Sequence, residues 1–231
     1  MKFKRFLDTP VQILCLDKRQ EHWGRLISQM QSQGFSNIHR FIVGDGDLLP
    51  IMDYDKVNVD KKYMTEWGYG REGYKHRHWN AMISHRMMIK RAKAAKWPYF
   101  LMLEDDVYIT DRFKEVWGQL QPDPANYNLL YLGWWIGDEN DDWNLDMEAR
   151  YNNHKECHVG APVQLGGLHA VIINESMYDT LLSLPLNNPI DSQINQLGHE
   201  RLNSAIILPK IIHTHSLPSN CEGSTIQRNS L

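Results

Sequence analysis

The run Tyr99-Phe100-Leu101-Met102-Leu103, closed by Glu104-Asp105-Asp106, decides how this chain is read. Five apolar residues without alternation predict a strand buried on both faces, as in the parallel sheets of α/β proteins. Such sheets take their ligands outside the carboxyl ends of the strands, which is where the three acids stand. Adjacent carboxylates repel one another and lose hydration when partly buried, so the cluster needs a cation or exposure to water. Oxygen donors alone suit a hard divalent ion such as magnesium or manganese. A solvated acidic turn leading into a helix around Arg112 to Gln119 is the plainer alternative.

Upstream of that strand the pattern is β then α. Val11-Gln12-Ile13-Leu14-Cys15-Leu16 predicts a buried strand, and Gln20 to Gln31 a helix with Trp23, Leu26, Ile27 and Met30 on one stripe. Gly34 ends the helix, and Phe41-Ile42-Val43 gives a second strand before the turn Gly44-Asp45-Gly46-Asp47. From Leu48 to Trp79 periodicity is lost and Tyr, Trp, Gly and basic residues crowd together, which predicts a long substrate-facing or lid loop. A helix is predicted from Asn80 to Lys96, with Ala81, Ile83, Met88, Ile89 and Ala92 inward and Arg86, Lys90, Arg91 and Lys93 outward.

Downstream, Leu129 to Leu132 and Ala170 to Ile173 read as strands, and Glu175 to Leu184 and Asp191 to Leu197 as helices. Ala205 to Leu208 and Ile211 to His213 read as short strands around Pro209. Trp134 to Trp143 is a polar, acidic, Trp-containing loop, and the tail after Ser216 is linker-like. Alternating strands and helices predict an α/β fold with a mostly parallel central sheet flanked by helices. Neither GxGxxG after the first strand nor GxxxxGK[ST] occurs, so a bound diphosphate needs another positive partner, for which a metal on the acid cluster is the obvious candidate.

With 231 residues, 42% of them apolar, the chain is long enough for one sizeable core, so a single domain is expected. The net charge of -3 gives no overall push towards nucleic acid or anionic membrane. Cys15, Cys157 and Cys221 lie far apart, without a CxxC pair, so reduced thiols in a cytoplasmic setting are expected. No run of about 18 apolar residues predicts a transmembrane segment.

Three separated segments resemble the family 25 glycosyltransferases, which include lipopolysaccharide and collagen galactosyltransferases. Leu16-Asp17-Lys18-Arg19 is similar to the family's start, and Ser84-His85, a helix and then Leu103-Glu104-Asp105-Asp106 to its central signature. Gly167-Leu168-His169-Ala170, Pro189-Ile190-Asp191 and Pro209 to His213 follow in the family's order, whereas Met82-Ile83 departs from the glycine and small residue common before Ser-His. The resemblance implies a GT-A fold over residues 1–231, with 48–79 as the acceptor-side loop. It also implies a UDP-hexose donor such as UDP-glucose or UDP-galactose, sugar transfer to a hydroxyl of a glycan, lipopolysaccharide or protein-linked sugar, and manganese or magnesium as cofactor.

On that footing Asp106 is expected to ligate the metal, Glu104 to reach the donor ribose or the metal, and Asp105 to do either. His213 and His215 alternate on one late strand, so their side chains share a face and either could complete the metal site. Asp17 and Arg19 are expected beside the nucleotide base and ribose, and Ser84 and His85 beside the donor at the start of their helix. Asp191 is the candidate general base of an inverting transfer, although an Asp at a helix start is also an ordinary cap. Three other readings use the same residues. The acids with Asp141, Asp142 and Asp191 could form a two-metal phosphoryl-transfer site. The Trp67–Trp79 and Trp134–Trp143 loops could make an inactive sugar-binding relative. The Tyr69, Arg71, Tyr74 to Trp79 cluster could suit hydroxylated DNA bases as acceptor.

Overall fold

The apolar runs form the centre of one sheet, as their lack of alternation requires. The structure is a computed structural model that describes residues 6–16, 19–43, 72–135, 157–162, 165–185 and 190–214. The chain order is β1 (Val11–Leu16), α1 (Gln20–Gln33), β2 (Ile38–Val43), α2 (Glu72–Ala94), β3 (Tyr99–Glu104), β4 (Val107–Ile109) and α3 (Phe113–Leu120). Then follow β5 (Leu129–Trp135), β6 (His158–Gly160), β7 (Gly166–Asn174), α4 (Tyr178–Ser183), α5 (Ile190–Leu197), β8 (Ser204–Leu208) and β9 (Ile212–Thr214).

Seven strands make the main sheet in the order β2-β1-β3-β7-β5-β8-β6. The β1–β2, β1–β3 and β5–β8 pairs are parallel, and β7 and β6 run against their neighbours, so five of the seven strands point one way. This is the α/β architecture with a mostly parallel sheet that the sequence predicts. Burial on both faces follows from the pleat. Val11, Ile13, Leu101, Leu103, Leu130, Leu132 and Ile172 face a core with Leu26 and Met30 of α1 and Phe113, Val116 and Trp117 of α3. Phe100, Met102, Leu129, Tyr131, Val171 and Ile173 face the opposite core with Met88 and Ile89 of α2, Leu181 of α4 and Ile194 of α5.

Gly34 ends α1 as expected: at φ 102 it takes the left-handed conformation, and its N–H donates to Gln31 O and Met30 O. Helix α2 differs from the prediction, since it begins at Glu72, so 72–79 continue the helix and do not belong to the preceding loop. Those residues carry no apolar stripe, which is why periodicity did not reveal them. On α2 the buried set is Met82, Ser84, His85, Met88, Ile89 and Ala92, whereas Ala81 and Ile83 are only half-buried. Arg86, expected outward, is half-buried instead and donates to Leu182 O at 3.5 Å in the last turn of α4, and to Leu184 O and Pro185 O, the latter at 3.1 Å, just past it. Those carbonyls end α4, which makes a guanidinium a natural partner for them.

Trp134, expected in a polar loop, lies fully buried in β5, where its indole N–H donates to Ile207 O at 3.4 Å. A sugar-stacking role for Trp134 is therefore corrected to a core role. The segment 44–71, the remainder of the Trp134–Trp143 loop and the tail after 216 lie outside the described residues, as do Asp17, Pro189 and His215. No helix among the described residues is long and apolar enough to cross a membrane. Cys15 and Cys157 are free thiols.

Candidate functional site at the carboxyl edge of the sheet

Strand β3 leads to the acids, and its neighbours place the other candidates beside them. Glu104 is the last residue of β3, opposite Leu14 of β1, and Asp105 and Asp106 form the turn into β4. Strand β4 leaves the main sheet and pairs antiparallel with β9, setting Tyr108 opposite His213. Because β7 runs against β3, with Leu103 opposite Ala170, the start of β7 at Gly166–His169 lies beside the end of β3. One edge therefore collects segments far apart in sequence.

The three acids have different surroundings. Asp105 is 5% exposed: Oδ1 accepts from Arg19 Nη1 at 2.8 Å, and Oδ2 accepts from the Leu16 N–H at 3.3 Å. A charge-assisted pair of this length ties the end of β1 and the start of α1 to the β3–β4 turn. Arg19 and Asp105, both expected at the nucleotide, thus meet each other. Glu104 keeps a side chain 30% exposed, with Oε1 3.2 Å from His85 Nε2. Asp106 is half-buried in the same turn.

Ser84 and His85 are not near the start of their helix, as expected, but in its interior, buried at 1% and 7%. The helix presents them to β3 because they fall on the stripe that includes Met88 and Ile89. Gln12, fully buried in β1, donates to Met88 O at 2.9 Å and anchors that stripe.

His213 stacks on Tyr108, ring centroids 5.6 Å apart at 24°. Asp191, in the first turn of α5, accepts the Gly167 N–H at 2.9 Å on Oδ2 and the Ser192 N–H at 2.8 Å on Oδ1. Gly167 has φ 76, a left-handed value that glycine adopts without strain. The Asp191 carboxylate thereby reaches the edge that holds the acids. Burial first, and the Asp191 charge second, push the Tyr131 phenol above its ordinary pKa.

Cys15 lies just behind this edge. Burial pushes its thiol up to about 11, against the opposing hydrogen bond from Arg40, so it stays protonated and inert.

Sequence reasoning passed over four residues here. His169 is buried at 1%, and Gly133 of β5 makes room for it, since a Cβ at 133 would stand 2.8 Å from His169 Nε2 and 2.6 Å from Ile212 O. Lys210, 8% exposed, holds Nζ 4.9 Å from the centre of the Trp134 ring. Tyr108 is the fourth. Each lies in an apolar or mixed segment where nothing local marks a polar site; only the quoted Gly167-Leu168-His169-Ala170 segment hinted at His169.

Oxygen donors from Glu104 and Asp106 with imidazole from His213 are chemically suited to magnesium or manganese. Among the described residues no group of three His, Cys, Asp or Glu side chains is placed to hold a metal ion together, Glu104, Asp106 and His213 included. That is compatible with a hard dication held by one or two carboxylates, with waters and substrate phosphates completing its shell.

No protein-family profile matches this sequence, and no curated protein matches it at a meaningful level. Among solved structures, the chain is similar to a glycosyltransferase involved in glycosylation of the major capsid of PBCV-1, at TM-score 0.48 and 10% identity over 93% of this chain and 96% of that one. It is also similar to the glycosyltransferase GlyE of Streptococcus pneumoniae TIGR4, at TM-score 0.38 and 9% identity over 85% of this chain and 45% of that one.

Proposed function

We propose that this chain is a GT-A-type glycosyltransferase, related to family 25, that moves a hexose from a uridine nucleotide sugar to a hydroxyl acceptor. One observation carries the reading. Glu104, Asp106, His85, His213 and, through Gly167, Asp191 come from four separate segments, and all lie at the carboxyl edge of the sheet. Ligands of open α/β sheets bind at that edge.

In this reading Asp106 and Glu104 would hold a magnesium or manganese ion, with waters and substrate phosphates completing its shell, and His213 remains a candidate ligand. The ion would supply charge neutralisation to a nucleoside diphosphate leaving group. His85 Nε2 stands 3.2 Å from Glu104 Oε1. Asp105 and Arg19 fix the β1–α1 connection, beside which the base and ribose are placed in this reading, and Asp17 and His215 remain candidates beside them. Asp191 takes the proton of the attacking hydroxyl.

The test is turnover of UDP-glucose and UDP-galactose, with manganese or with chelator, by the full chain and by Asp106→Asn. Transfer or donor hydrolysis that is lost in chelator, and lost in Asp106→Asn while its circular dichroism and Tm stay native, supports the assignment. Undiminished turnover by that variant in chelator removes it.

A further inference from the structure

The start of β7 outruns its neighbour. The β3–β7 ladder ends with Leu103 opposite Ala170, so residues 165–169 extend past the last β3 pair. Helix α5 takes over there. Asp191 Oδ2 accepts the Gly167 N–H at 2.9 Å, and Asn195 bonds Leu165 twice. Its Oδ1 accepts the Leu165 N–H at 3.1 Å, and its Nδ2 donates to Leu165 O at 2.7 Å. Four residues rise about 6 Å along a helix and two residues about 6.6 Å along a strand, so side chains one turn apart fit alternate backbone groups. Asp191 and Asn195 therefore act as two rungs that set α5 on this segment.

Asn195 is itself held in place. Its two bonds to Leu165 fix which end of the amide is the carbonyl, and that same Oδ1 lies 2.7 Å from His199 Nε2. His199 must then carry its hydrogen on Nε2 and donate it. The ring is 3% exposed, edge-on to Tyr131 of β5 with centroids 5.8 Å apart, and the His199 carbonyl accepts the Ser204 N–H at the start of β8. Asp191 lacks such support: its Oδ1 accepts only the adjacent Ser192 N–H, so the Gly167 bond is its one printed tie to the sheet. Ile190 and Ile194 bury the helix, but apolar contact is non-directional and does not by itself set its register.

We propose that Asn195, oriented by His199, is a positioning residue for Asp191: it locks α5 in register on the start of β7, so that the Asp191 carboxylate is presented to the acceptor hydroxyl at the acidic edge. Neither Asn195 nor His199 touches the reacting atoms in this role. The catalytic consequence rests on the transfer reading with Asp191 as base, whereas the register lock rests on the hydrogen bonds alone.

Two readouts on the full chain test this. In amide hydrogen exchange, Asn195→Ala should speed exchange of the Gly167 N–H roughly tenfold, although Asp191, the acceptor of that N–H, is untouched. In turnover of UDP-glucose or UDP-galactose, Asn195→Ala should lower kcat roughly tenfold at unchanged donor KM, because the donor is held at the acids. Placed in Asp191→Asn, the same substitution should cost the residual turnover nothing further, since the group it positions is gone. A merely structural role lowers both backgrounds alike. His199→Leu should follow Asn195→Ala, and His199→Gln, which keeps an N–H donor, should recover most of that loss. If Asn195→Ala does not fold, Asn195→Asp, which removes only the donor to Leu165 O, carries both comparisons. Unaltered Gly167 exchange, an equal further loss of kcat in the Asp191→Asn background, or full turnover by Asp191→Asn itself overturns the proposal. Failure of the transfer reading shows separately, as absent UDP-hexose turnover by the unaltered chain, and Gly167 exchange then upholds or overturns the register lock by itself.

Discussion

At the scale of single residues, Gly133 matters through the side chain it lacks. A methyl there would meet the Ile212 carbonyl at 2.6 Å and the His169 ring at 2.8 Å, and the first of these is backbone that cannot rotate away. Gly133→Ala should therefore lower unfolding stability by about 1–3 kcal/mol through overpacking, read as a lower denaturant midpoint at unchanged slope; an unaltered midpoint would mean that β9 gives way freely. His199 makes a second residue-level prediction. Burial holds its imidazole down to about 4 from 6.5, with Nε2 2.7 Å from Asn195 Oδ1. Below pH 6.5 the unfolded chain takes up a proton that the folded chain refuses until about pH 4, so stability is lost as pH falls through that window. His22 and His39, also held low by burial, add to the slope. Urea unfolding of His199→Gln between pH 7 and 4 should show a shallower loss than the unaltered chain. Gly133 and His199 were unreadable in sequence, because a glycine's neighbours and a histidine's burial are set by strands distant along the chain.

At the scale of elements, the acidic triplet divides its work. Asp105 joins β1, α1 and the β3–β4 turn through Arg19 and the Leu16 N–H, and Glu104 leans on α2 through His85. Asp105→Ala leaves Arg19 and the Leu16 N–H without this acceptor. It should destabilise the fold by roughly 1.5–3 kcal/mol, the range for hydrogen bonds to charged groups, measured by thermal or urea unfolding. A change within error would mean that water replaces the carboxylate without loss. The strand runs were legible because continuous apolar sequence has few alternatives: β1 matches its predicted span residue for residue, and β3 extends its own by only Glu104. Strands β4 and β6, three residues each, were not legible, since pairing partners and not composition create strands that short. The early start of α2 was missed for the related reason that its first turns lack an apolar stripe.

At the scale of the whole molecule, antiparallel β7 decides which residues meet. It brings Gly167, and with it Asp191, to the end of β3, while β9 brings His213 back alongside β4. Both Asp191 oxygens accept backbone N–H groups, an arrangement that serves a structural tie and a positioned base alike. Asn at 191 keeps one carbonyl oxygen for those donors but cannot take a proton at neutral pH. A general base predicts that Asp191→Asn lowers turnover by roughly a hundred- to ten-thousand-fold with Tm little changed; turnover close to that of the unaltered chain would leave Asp191 with the helix–strand tie alone.

The sequence by itself determined the α/β class, the buried central strands and the position of the acids at a strand's carboxyl end, because apolar runs and local charge are properties of neighbours along the chain. Which acid pairs with Arg19, which helix takes the backbone groups at the start of β7 and which late segments return to the acidic edge were decided only by the tertiary structure. Those contacts depend on strand order and direction, which short-range pattern does not encode.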